Sequence, residues 1–136
     1  MMSRILRKPT LASVVAGVVL LSPASSVQGQ TGLERKVLLQ QDLDIPGYET
    51  LLVEVTLAPG GREGRHRHPG TLVAYIAEGE LTLEQEGLPT RTYKAGESGI
   101  IKPGQVHEGI NHGRTPIKIF ATFIVEQGKP LATQVR

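Results

Sequence analysis

Short runs of apolar residues at every second position, each cut off by glycine or proline, dominate the sequence after residue 30. The run "YETLLVEVTLAP" (48–59) is rich in valine, leucine and threonine and ends at Pro59-Gly60-Gly61. "LVAYIAEGELTLEQEG" (72–87) reads as two strands about a turn at Glu78-Gly79, and Leu81 and Leu83 alternate strictly with Thr82 and Glu84. "ESGIIKPGQVHEGIN" (97–111) holds two more segments, separated by Pro103-Gly104, and "PIKIFATFIVE" (116–126) is the last strong strand. Side chains two apart on a strand share a face, so such runs each bury one side. Many short strands with frequent turns fit an all-β sandwich or barrel, and no stretch of this region shows a helical period. The tail "EQGKPLATQVR" is open: it either pairs at a sheet edge or lies on a partner.

The first 29 residues follow another rule. "MMSRILRK" carries Arg4, Arg7 and Lys8 and no acid, an apolar run follows from Leu11 to Leu21, and "SPASSVQGQ" supplies small residues. This three-part layout is that of a secretory signal peptide, and the run is shorter than the ~20 residues of a membrane span. The reading is a signal peptide over 1–29 and one domain over 30–136. Cleavage after Gly29 fits the small-residue rule, with Ala24 as the alternative site and an uncleaved anchor as the other reading. The expected location is outside the cytoplasm, periplasmic or secreted, with no membrane attachment after cleavage. The segment also holds three of the fifteen basic residues, which leaves twelve against thirteen acids. A nearly neutral domain gives no footprint for nucleic acid. The chain has no cysteine, so no disulfide braces the fold and any metal site must use nitrogen and oxygen.

Such a site has candidates. His66 and His68 in "GRHRHPG" are two apart and project to one face of a strand, with Arg65 and Arg67 pointing away. His107 opens another segment just after the Pro-Gly turn, which can bring it beside the first pair. Two histidines from one strand and one from another make a plausible three-nitrogen metal site. His112 has the opposite strand parity to His107 and is expected outward or in a loop.

The spacing adds a resemblance. Gly60, five residues, His66, one residue, His68, then Gly79 resembles the first motif of the cupins, G-x5-H-x-H-x3–4-E-x6-G. Gly96, Gly104, His107 and Asn111 fall on positions of their second motif, G-x5-P-x-G-x2-H-x3-N. The resemblance spans Gly60 to Asn111. It implies a double-stranded β-helix, or jelly-roll barrel, with His66, His68 and His107 as metal ligands, and a homodimer. Two positions depart from it. Lys102 stands in the proline slot, with Pro103 one place later. Leu72 stands in the glutamate slot, so the ligand carboxylate is not carried over. Glu63, in the preceding loop, or Glu108, opposite to His107 by parity, are the candidates to replace it.

Three neutral imidazoles leave a divalent ion its full charge, which favours a small anionic substrate that chelates. Leu72 is expected to tighten and dry the cavity. Arg62, Arg65 and Arg67 are placed at the mouth, as solvated charges or as an anion clamp. Tyr75 is expected to pack, and Asn111 to brace a turn. No catalytic residue beyond the metal is assigned. The leading reading is a dioxygenase-like oxidoreductase using ferrous iron, with zinc, manganese or nickel as alternative ions. A zinc-type lyase or isomerase, or a metal-free binding module, are the other readings.

Overall fold

The computed structural model describes residues 30–136, so the expected signal peptide over 1–29 lies outside the described residues. The described chain is all strand: β1 (Thr31–Asp42), β2 (Tyr48–Arg62), β3 (His66–Arg67), β4 (Thr71–Glu78), β5 (Glu80–Gln85), β6 (Arg91–Lys94), β7 (Ser98–Ile101), β8 (His107–Ile110), β9 (Ile117–Glu126) and β10 (Thr133–Gln134).

Period-two patterning decides which faces are buried. Leu51, Val53, Val55 and Leu57 of β2 point inward, as do Ile117, Ile119, Ala121, Phe123 and Val125 of β9. The two strands run antiparallel with Leu57 opposite Ile117, and both of these side chains are fully buried. Full burial of one such side chain contributes roughly 1.5–3 kcal/mol. Leu72 and Ile76 of β4, Leu81 and Leu83 of β5, Tyr93 of β6 and Ile101 of β7 complete the core. The strand order β10-β3-β8-β2-β9-β4-β7, with β1 on β2 and the β5–β6 pair on β8, curls into a nearly closed antiparallel barrel. Its interior is the common inward face of these strands.

Two turns set the geometry around the site. Gly79 has φ of +83°, a conformation that side chains rarely adopt, and it links β4 to β5 where a Cβ would press on the Pro116 carbonyl. Gly104, at φ +75°, turns the chain just before β8, and its N–H donates to the His68 carbonyl at 2.9 Å. That bond ties the turn ahead of His107 to the histidine pair on the neighbouring segment.

Three features differ from the sequence reading or complete it. β1 and β6 carry no alternation strong enough to have marked them. The tail does pair: Thr133 and Gln134 of β10 lie opposite Arg67 and His66 of β3. Tyr75, expected to pack, stands on the outer face and is 46% exposed, because its neighbours Ala74 and Ile76 take the inward parity.

Candidate metal centre

His66 begins β3, His68 follows it two residues later, and His107 begins β8 directly opposite His66. Parity and register therefore place all three inside the barrel, where each is at most 4% exposed. Their ligand atoms lie within 4.8 Å of one another. Two ligands bound at about 2.1 Å to one ion sit roughly 3–4 Å apart, so the set is close to closing on an ion. His68 also meets the Phe123 ring edge-on, with centroids 4.9 Å apart.

Each ring is held by its Nδ1. His66 Nδ1 lies 2.7 Å from the Gly64 carbonyl, His68 Nδ1 2.6 Å from the Leu131 carbonyl, and His107 Nδ1 2.9 Å from the Gln105 carbonyl. A carbonyl can only accept, so Nδ1 carries the proton and Nε2 keeps its lone pair for the cavity. This is the outer-shell pattern that orients metal-ligating histidines. Protonation of His68 and His107 does not compete near neutrality. Burial pushes His68 down to about 4, over the opposing effect of its bond to Leu131, with His66 and Arg35 adding to the fall. Burial likewise pushes His107 down to about 3, against its bond to Gln105. Three nitrogen donors in this arrangement suit a divalent transition metal.

The cavity in front of the histidines is otherwise mostly apolar. Leu72, Ala74 and Ile76 of β4 line it with Ile101, Ile119 and Phe123, so the residue in the glutamate slot does face the site with an apolar side chain. The carboxylate candidates divide. Glu63 lines the cavity but stands apart from the ligand cluster; its Oε2 accepts from the Gly109 N–H at 3.0 Å. Glu108 turns away, as its parity requires, and forms a two-pronged ion pair with Arg62 at 2.8 and 2.9 Å.

The arginines follow the solvated reading: Arg62, Arg65 and Arg67 are all exposed. Arg62 is engaged by Glu108 and Arg65 by Glu86, and neither of them, nor Arg67, lines the cavity. The cationic side chain that does is Arg35 of β1. The sequence does not reveal it: a lone inward arginine in a segment without alternation gives no signal. Asn111 braces the chain as expected. Its Nδ2 donates to the Leu57, Ala58 and Thr115 carbonyls at 3.0, 3.1 and 2.8 Å, and its Oδ1 accepts from the Gly113 N–H. His112 is exposed in the loop beyond β8.

Known proteins share this arrangement of strands and parts of the sequence. The family model for the cupin domain matches residues 53–129. Oxalate oxidase GF-2.8 of Triticum aestivum is 33% identical over 96 residues, 60% of this chain. The chain spans only 43% of that protein's length. Among solved structures, an uncharacterized conserved protein of Klebsiella pneumoniae with a double-stranded β-helix domain aligns with a TM-score of 0.61 and 25% identity, covering 85% of this chain and 90% of its own. A recombinant oxalate oxidase in complex with glycolate aligns with a TM-score of 0.60 and 26% identity, over 76% of this chain and 55% of its own.

Proposed function

The chain belongs to the cupin family, and from that premise we propose that His66, His68 and His107 form the metal centre of a dioxygenase-like oxidoreductase acting on a small, chelating organic anion. One observation carries the reading: three buried imidazoles, each fixed through Nδ1 to a backbone carbonyl, present Nε2 to a mostly apolar cavity. A divalent ion held there supplies Lewis acidity and, if ferrous, redox chemistry. The chain's own part is to hold three neutral donors, exclude water with Leu72, Ile101 and Phe123, and leave the remaining coordination positions to substrate. Similarity to oxalate oxidases, one of them in complex with glycolate, supports a small oxygen-donor acid as the substrate class. Ferrous iron is the favoured ion, with zinc, manganese or nickel as substitutes.

A second reading, a Lewis-acid isomerase or lyase, draws on Glu63, a carboxylate that lines the cavity. Oxygen consumption by the iron-loaded protein separates the two; isomerisation without oxygen uptake favours the second.

Leu72→Glu tests the centre itself. The substitution places a carboxylate beside three neutral ligands, so divalent ion should bind at least tenfold more tightly. Acetylacetone, an anionic chelator, should bind more weakly, having lost a coordination position and part of the positive charge. Titration of both proteins with zinc and then acetylacetone reads both effects. A wild type that stays metal-free at micromolar zinc rules the centre out and leaves a metal-free binding module.

Export is part of the proposal, on the charged, apolar and small-residue succession of residues 1–29. Intact-mass measurement of exported protein should find the first residue between Ser25 and Thr31. A soluble exported form that retains Met1 would contradict it.

A further inference from the structure

Among the described residues the cavity has two charged walls, of opposite sign: Arg35 and Glu63. Arg35 belongs to β1, which among the described residues pairs only with β2 and so forms a sheet edge. It stands opposite Val55, whose inward side chain lines the same cavity. Leu33, two residues before it on the same face, packs on the core. Arg35 thus lines the cavity from an edge strand and is itself an exposed residue. The ion pairs of the described residues engage Arg62, Arg65, Lys118 and Lys129, not Arg35.

Glu63 is held where β8 makes room for it. Gly109 has the inward parity of His107, and a Cβ there would come within 2.5 Å of Glu63 Oε2. The carboxylate therefore fills the place of an inward side chain two positions along from a histidine. The Gly109 N–H holds Oε2, and Oε1 takes no part in that bond.

We propose that Arg35 and Glu63 together select a small monocarboxylate carrying a neutral hydroxyl or enol donor: the guanidinium pairs with the carboxylate, Glu63 accepts a hydrogen bond from the neutral group, and a second carboxylate is repelled. Arginine matches carboxylate geometry with two parallel bonds. A carboxylate fixed in a poorly hydrated cavity repels a like charge more strongly than it would in water. The cavity is small, about 50 Å³, which limits the ligand to a short-chain acid. The selection rests on the metal-centre reading above and adds to it the charge and size of what the centre receives.

The test uses zinc-loaded protein, lactate and oxalate. Zinc content is measured first, then each acid is titrated by calorimetry at low and moderate salt. Arg35→Gln should keep its zinc, bind lactate at least tenfold more weakly, and lose the salt dependence of that binding; Arg35→Lys should recover part of it. Glu63→Gln should keep its zinc and bind oxalate at least tenfold more tightly relative to lactate. Arg67→Gln, outside the cavity, should match wild type. Normal zinc content with lactate affinity unchanged in Arg35→Gln, or with an unchanged oxalate-to-lactate ratio in Glu63→Gln, overturns the selection and leaves the metal centre standing. Absence of zinc in the wild type overturns the centre, and the selection with it.

Discussion

His107→Ala protein, purified without a histidine tag beside wild type, is expected to retain less than a tenth of the wild-type metal. His107 is the only one of the three ligands that comes from β8, and it faces His66 across the β3–β8 pair. Its removal leaves two donors on one short segment and a void where the third ring stood. Disturbing only the groups that orient a ligand costs about 10- to 100-fold in metal affinity, and loss of the ligand itself should exceed that. His66→Ala and His68→Ala should behave alike, while His112→Ala, in an exposed loop, should keep full occupancy. Elemental analysis of the four variants decides it. Full metal in His107→Ala would mean that the convergence of the three rings has no bearing on metal binding.

The metal-free protein should be strongly sensitive to mild acid. The folded-state values of His68 and His107, about 4 and about 3, both lie below the ordinary 6.5. As pH falls, the unfolded chain takes up protons before the folded one. The stability these two rings confer is therefore complete above pH 6.5 and drains as pH falls from there towards the folded values. Two such groups cost about 3 kcal/mol by pH 5.5, a window above the range in which ordinary carboxylates titrate. Urea midpoints at pH 7.5 and 5.5 measure this, and His107→Phe should flatten the slope by about one proton. Equal midpoints at the two pH values would show that the rings are not held neutral by burial.

Most of the barrel was legible because burial imposes a period of two. β2, β5 and β9 alternate in sequence as they do in space, and their turns carry Gly and Pro. β1 was not legible. It is an edge strand exposed along nearly its whole length, so nothing constrained its sequence to alternate. With β1 illegible, Arg35 is illegible too, and the basic residues that the sequence does place near the mouth are Arg62, Arg65 and Arg67. The first two of these are engaged by Glu108 and Glu86, partners that are distant in sequence. The histidines were legible because H-x-H parity and the spacing to His107 survive without knowledge of the fold. Their Nδ1 acceptors were not, since a backbone carbonyl leaves no trace in residue identity. Glu63 was within reach as a loop carboxylate, but its placement depends on the missing side chain of Gly109, which only β8 packing reveals.

The bond between His68 and the Leu131 carbonyl joins residues 63 apart in the chain. His66 and His107 likewise meet only through pairing of two separated strands. No contiguous segment contains the centre, so it cannot be transplanted as a peptide: a fragment such as "GRHRHPG" would offer an ion two unanchored rings. Contacts this remote form late, because loop closure must be met before they give any return. Metal uptake by this chain would then mark a finished molecule rather than guide an unfinished one. Exchanging the ion for another need not disturb how the barrel is reached.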